Sequence, residues 1–356
     1  MPDSIAVVGA AGFVGRELLR QLEANGTPAT AVVRGLRELS LDGEFHDARS
    51  PDELKGTRFD IVVNLAYPTS GLPFDQPGLN AEILRTVKSL TKPGGRLIQV
   101  STASVFGMTL DRPIRVGHAP TLRDMPYVES KIEAEHEFER EQEARELSLD
   151  ILRLGNVWGA ASGAWALPIV QRLVSGRPVG VADVPSFSNA TDVVNVASYL
   201  AFLLHRDHPP GVRYHHLAEF SRVTWPMWID PLADALGVEP VWADPSTITG
   251  PAGNRQEVRA ALATISPRTV YRRFAAERAV GSWTRSAIRQ LPATARGKLR
   301  SDLVFASEPA VERLEQIVLS IFAGYQEFAT SVEAGWSPPL TQEESLARVL
   351  AWLDRR

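Results

Sequence analysis

Brief apolar runs alternate with amphipathic stretches through the first half of the chain. Residues 5–9, 29–33, 61–65, 96–101 and 150–154 are short and rich in branched side chains, as buried strands are. Between them, 13–24, about 79–91 and 126–147 carry helical spacing, with Leu18, Leu19 and Leu22 on one face of the first. The alternation predicts an α/β fold, a doubly wound parallel sheet with helices on both faces. Ligands of such sheets sit outside the carboxyl ends of the strands. Past residue 160 the pattern loosens. Leu167–Val174 predicts a helix ending at Gly176, with Pro178 beyond. Asn189-Ala190-Thr191-Asp192-Val193-Val194 opens another, capped by Thr191 or Asp192. Trp225–Leu236 is a helix closed by Gly237, and Thr341-Gln342-Glu343-Glu344 has the capping-box spacing that starts a terminal helix. No internal repeat or low-complexity segment interrupts this order.

Two motifs lie at strand ends. Ile5-Ala6-Val7-Val8 runs straight into Gly9-Ala10-Ala11-Gly12-Phe13-Val14-Gly15 and then the first helix. Strand, glycine turn and helix together point to a nucleotide site. Gly9 permits a tight turn, Gly12 lets backbone approach a pyrophosphate, and Gly15 lets the helix pack closely. The helix N-terminus offers N–H groups and a positive dipole end. The second motif is Tyr127-Val128-Glu129-Ser130-Lys131. Its phenol and ammonium are one helical turn apart. A neighbouring positive charge predicts a lowered phenol pKa, and hence a proton donor and acceptor at a carbonyl or alcohol oxygen. Alone, the spacing also describes a half-buried tyrosine beside a solvated lysine.

Composition narrows the classes. The 356 residues make either one large α/β unit or a domain with a smaller lobe. A chain 44% hydrophobic and 22% charged is ordinary for a soluble globular protein. With no cysteine, disulfides, thiolate ligands and thiol nucleophiles are excluded. The seven histidines show no metal-ligand spacing, so no metal is expected. Met1-Pro2-Asp3-Ser4 does not look like a signal peptide, and the apolar run Val193–Leu204 is too short to span a bilayer. A cytoplasmic enzyme that binds neither membrane nor nucleic acid is therefore expected. Residues 267–300 are strongly basic, with Arg268, Arg272, Arg273, Arg278, Arg285, Arg289, Arg296, Lys298 and Arg300 against Glu277. They form either a rim attracting a phosphate-bearing ligand or a solvated helical face.

The glycine spacing with Tyr127 and Lys131 resembles the extended short-chain dehydrogenase/reductase superfamily, the NAD(P)-dependent epimerase/dehydratase family. Asp60-Ile61-Val62-Val63-Asn64-Leu65-Ala66 looks like its fourth strand, and Leu97–Gly107 like its fifth strand and catalytic Ser/Thr loop. Arg153-Leu154-Gly155-Asn156-Val157-Trp158-Gly159 is similar to the segment meeting the nicotinamide end, and Gly335-Trp336-Ser337-Pro338 before a last helix is also typical. The match covers roughly 3–240 and 333–354 and fails between about 245 and 330. It implies a Rossmann-type domain over 1–165, with 186–205 returning to it. Residues 166–356 then form mainly a smaller substrate-binding lobe, with an atypical basic insertion at about 245–330.

The resemblance makes Thr102, Tyr127 and Lys131 catalytic: a hydroxyl donor, a general acid/base, and an amine that holds the ribose and tunes the phenol. It makes Gly9, Gly12, Phe13, Val14, Gly15, Arg34, Asp47, Leu65, Ala66, Lys131, Leu154 and Asn156 cofactor-binding. The second strand ends in Arg34, not a carboxylate, which favours NADP while leaving NAD open. Three departures narrow the reaction. Ala103 and Ser104 replace the Asp-Glu pair of dehydratases, and no cysteine base for epimerisation beside the carbonyl exists. Pro185-Ser186-Phe187 stands where nucleotide-sugar members often carry an arginine. Apart from these, Leu154 replaces a usual proline, which should alter the strand-end geometry without removing function. The leading expectation is an NADP(H)-dependent oxidoreductase acting on the carbonyl/alcohol pair of a sugar-like or phosphate-bearing small molecule, with nucleotide linkage left open. A sugar 4-epimerase holding NAD and a non-catalytic dinucleotide-binding sensor stay open. A homodimer through helices flanking the site is the assembly the resemblance allows.

Overall fold

A computed structural model describes residues 4–34, 48–68, 76–107, 113–120, 126–184, 186–247 and 327–355. Asp47, Pro185 and the basic stretch 267–300 lie outside the described residues.

The apolar runs become the centre of a parallel sheet. β1 (Ile5–Val8) is buried throughout and lies between β2 (Thr30–Val32) and β4 (Phe59–Asn64), with β3 (Ala48–Arg49) beyond β2. On the other side follow β5 (Thr91–Thr102), β6 (Ser148–Leu154) and β10 (Gly211–Leu217), giving the order β10-β6-β5-β4-β1-β2-β3. All pairings are parallel, so the carboxyl ends share one rim. This is a doubly wound, Rossmann-type sheet. The short pair β7 (Asn156–Trp158) and β9 (Ala190–Asp192) continues beyond that rim, and β8 (Gly180–Val181) pairs β11 (Trp242–Ala243).

Helices cover both faces because strand side chains alternate. On one face α1 (Phe13–Ala24) buries Leu18, Leu19 and Leu22 against α5 (Val193–Leu204) and the residues Val7, Ile98, Leu152 and Leu154. On the other, α2 (Gln76–Leu90) and α3 (Pro126–Arg145) cover Val8, Val62, Leu97 and Ile151. Each buried leucine contributes about 1.5–3 kcal/mol. A separate apolar cluster joins α4 (Ala166–Val174), α6 (Trp225–Leu236) and α7 (Gln342–Leu353) around Trp158, Trp225 and Trp228. The helix ends follow their local chemistry. Asp192 accepts from the Val194 N–H at 2.7 Å, Gly237 takes a left-handed φ of 62°, and Thr341 forms a capping box with Glu344.

Among the described residues, β10 is the longest strand that periodicity does not announce. Its Arg213, His215 and His216 break the apolar run. Arg213 and His215 meet Asp150 on β6, each at 3.0 Å, and Arg96 joins from β5 at 2.7 Å. Burial alone would raise the Asp150 carboxyl, but His215, Arg96 and Arg213 together hold it well below the usual carboxylate range. Asp150, His215 and Glu333 bring ligand-type atoms within 4.8 Å of one another. Glu333 also contacts His208 at 2.6 Å and Arg206 at 3.4 Å, so its carboxylate already has protein partners. Among the described residues, no helix is long and apolar enough to cross a membrane.

Candidate active site

The glycine turn closes against the exit of β4. Gly9 has φ of +84°, and a Cβ there would lie 2.7 Å from the Ala66 nitrogen. A Cβ on Gly15 would lie 2.6 Å from the carbonyls of both Gly9 and Ala10, so the glycine admits the turn's own backbone under the helix. Gly12 donates to the Gly9 carbonyl at 3.0 Å and stands as N-cap of α1 without a side-chain cap. No acidic residue occupies the first turn. Phe13, Val14 and Gly15 thus present N–H groups of an open helix start, a fit for pyrophosphate. The side chain of Phe13 is half-exposed beside Gly159. Gly9 also donates to the Val32 carbonyl at 3.3 Å, which brings the end of β2 beside the turn. Arg34 follows that end and is exposed.

The exit of β4 is fixed by buried amides. Leu65 donates to the Val8 carbonyl at 2.9 Å, and the Ala66 N–H to Asn64 Oδ1 at 3.1 Å. Asn64 Nδ2 donates to Gln99 Oε1 at 2.7 Å, and Gln99 Nε2 to the Val100 carbonyl at 2.8 Å.

Thr102 ends β5 and caps the short turn Ala103–Phe106, accepting from the Ser104 N–H at 3.2 Å. Tyr127 sits in the first turn of α3 with its side chain reaching Thr102. Lys131 lies one turn further, buried, and its Nζ donates to the Val100 carbonyl at 3.0 Å. The fold therefore brings Thr102, Tyr127 and Lys131 together at the sheet rim. Leu154 pairs with Thr102 across β5 and β6, but its side chain is buried with α1 and α5. Asn156 donates to the Ser188 carbonyl at 2.7 Å, so its amide binds the crossing segment before β9.

The lowered phenol pKa expected from the lysine spacing is corrected here. Desolvation pushes Tyr127 up to about 12, the Tyr67 phenol adds to it, and Thr102 pulls the other way. Although the ring is 39% exposed, its hydroxyl points inward toward Thr102. Burial also lowers Lys131 to about 8, against the pull of Glu135. Spacing reveals the amine but not the loss of water around both groups.

Two participants went unforeseen. Gln99 is a polar residue inside the apolar run of β5, and that break was its only signal. Tyr67 directly follows Asn64-Leu65-Ala66, and its ring lies 5.1 Å from that of Tyr127.

Residues 5–203 match the sequence profile described as the NAD dependent epimerase/dehydratase family. The chain belongs to that family. Among family relatives, a dTDP-6-deoxy-L-talose 4-dehydrogenase (NAD(P)(+)) from Kitasatospora kifunensis is 29% identical over 194 residues, 50% of this chain and 61% of that protein. The fold is shared with MoeE5 in complex with UDP-glucuronic acid and NAD, at 18% identity and TM-score 0.60 over 99% of both chains. It is also shared with a UDP-glucose 4-epimerase from Bifidobacterium longum in complex with NAD+ and UDP, at 19% identity and TM-score 0.56 over 68% of this chain and 85% of that one.

Proposed function

We propose that this family member is an NADP(H)-dependent oxidoreductase acting on a sugar-like carbonyl/alcohol pair, with the sugar nucleotide-linked. The observation that carries the reading is the meeting of Thr102, Tyr127 and Lys131 on the rim that also holds the glycine turn. The Kitasatospora relative, named for a dTDP-sugar, supports the substrate class.

Gly9, Gly12 and the N–H groups of Phe13, Val14 and Gly15 would hold the pyrophosphate, with Leu65 and Ala66 lining the same mouth. Arg34 would accept a 2′-phosphate, with Asp47 on the adenine side. Lys131 would hold the ribose, and the Leu154–Asn156 backbone would border the nicotinamide end. When bound, the cofactor would supply or accept the hydride. During reduction, negative charge builds on the substrate oxygen. Thr102 donates a hydrogen bond to that oxygen, and the Tyr127 hydroxyl delivers its proton as the new C–H bond forms. The Lys131 ammonium stabilises the phenolate left behind. Oxidation reverses these steps.

The test is NADPH consumption with a panel of nucleotide-linked keto-sugars. Turnover is expected, and Tyr127→Phe should lower kcat by about a hundredfold or more while cofactor affinity stays nearly parental. Near-parental turnover in that variant would remove Tyr127 from the mechanism. Tightly retained NAD with sugar interconversion and no net oxidation would instead identify a 4-epimerase, and binding without turnover would identify a sensor.

A further inference from the structure

Tyr67 stands between the two groups whose cooperation the proposed chemistry requires. Its ring meets that of Tyr127 edge-on, with centroids 5.1 Å apart and planes at 72°. Its face meets Lys131, whose Nζ lies 5.2 Å from the centroid. The backbone beside Tyr67 is tied to the same amine. The Ala66 N–H reaches Asn64, Asn64 reaches Gln99, and both Gln99 Nε2 and Lys131 Nζ donate to the Val100 carbonyl, at 2.8 and 3.0 Å. This chain of bonds fixes the exit of β4, and Tyr67 with it, relative to α3.

We propose that Tyr67 is a positioning residue whose aromatic face keeps the Lys131 amine charged and aimed while Tyr127 exchanges its proton. The inference rests on the function proposed above. A ring face attracts an ammonium, and the attraction grows where water is excluded. Lys131 needs that help, because a buried amine sheds its proton readily. Glu135, on its own helix, and the Val100 carbonyl also face it. Glu135 is already paired with Arg153 of β6 at 2.7 Å, which weakens its hold on Lys131. With the amine lowered to about 8, a modest loss of attraction changes its charge near neutral pH. The role needs the ring of Tyr67, not its hydroxyl.

Tyr67→Leu removes the ring at nearly constant apolar bulk, Tyr67→Met is a second ring-free variant, and Tyr67→Phe keeps the ring. Carbon NMR of ε-labelled lysine, with Lys131→Met assigning the signal, reads the amine midpoint in cofactor-free protein. Both ring-free variants should lower that midpoint by about one pH unit, and Tyr67→Phe should leave it within a few tenths. In turnover, the ring-free variants should lose about tenfold in kcat with KM for NADPH within about twofold, and Tyr67→Phe should match the parent. A parental amine midpoint in the ring-free proteins, or a Tyr67→Phe protein that behaves like them, would overturn the proposal. The NMR midpoint decides the role of Tyr67 even where no sugar turns over, an outcome that would count only against the proposed function.

Discussion

At the scale of single residues, environment sets the chemistry as much as residue type. Tyr127 and Lys131 shift in opposite directions for one reason: both lose water, which favours the neutral phenol and the neutral amine. Both groups are pushed toward their neutral forms, but an amine lowered only to about 8 stays mainly charged at neutral pH, and a bound cationic nicotinamide would pull the phenol back down. Arg34 would carry the proposed preference for NADP. It leaves β2 beside the glycine turn, where a guanidinium can pair a phosphate bidentately. Arg34→Ala should weaken NADPH by about tenfold or more and NADH by less than about twofold, as read by equilibrium binding. Equal losses for both cofactors would leave NADP without support.

At the scale of elements, legibility followed burial pattern. β1, α1 and the ends of α6 and α7 were plain in the sequence, because Leu18 and Leu22, Gly237 and the Thr341–Glu344 box each carry a local signal. β10 was not plain. Its Arg213 and His215 mimic a surface loop until Asp150 on the neighbouring strand, which also takes Arg96, pairs with them, and no local window holds that information. Much of the candidate site was legible, because its glycines and the Tyr127–Lys131 pair are short-range patterns. Tyr67 was not, because its partners lie far along the chain. The glycine turn yields an element-level test. Gly9→Ala forces a side chain into a left-handed φ with backbone at 2.7 Å. It should cost about 1–3 kcal/mol in stability and weaken dinucleotide binding, as measured by denaturant unfolding and titration. Parental values for both would remove the turn from the proposed cofactor mouth.

At the scale of the whole molecule, residues 327–341 bind the sheet edge, α5 and the last helix together. Phe328 donates its backbone N–H to Asn189 Oδ1 at 2.7 Å and stacks on His216 with centroids 4.3 Å apart, Glu333 donates to Tyr199 at 3.0 Å, and Leu340 donates to Asn195 at 2.9 Å. His216 is wholly buried, and desolvation lowers it to about 3 with Arg153 adding to the effect. The unfolded chain binds a proton at this residue below its ordinary pKa of about 6.5, and the native chain does not until about 3. Stability is therefore fully present above 6.5 and falls as pH drops toward 3, by about 1.4 kcal/mol per pH unit from this group. His216→Phe should flatten that part of the denaturation profile. An unchanged acid slope would show that His216 does not control it.

The central claim is that a bound dinucleotide and the Tyr127 phenol share one site, and phenolate absorbance reports it directly. The difference between parent and Tyr127→Phe isolates this phenol from the other tyrosines. Its midpoint should lie near 12 without cofactor and fall by about one pH unit or more when NADP+ is bound. An unmoved midpoint in a protein saturated with NADP+, or no uptake of either dinucleotide, would contradict the claim.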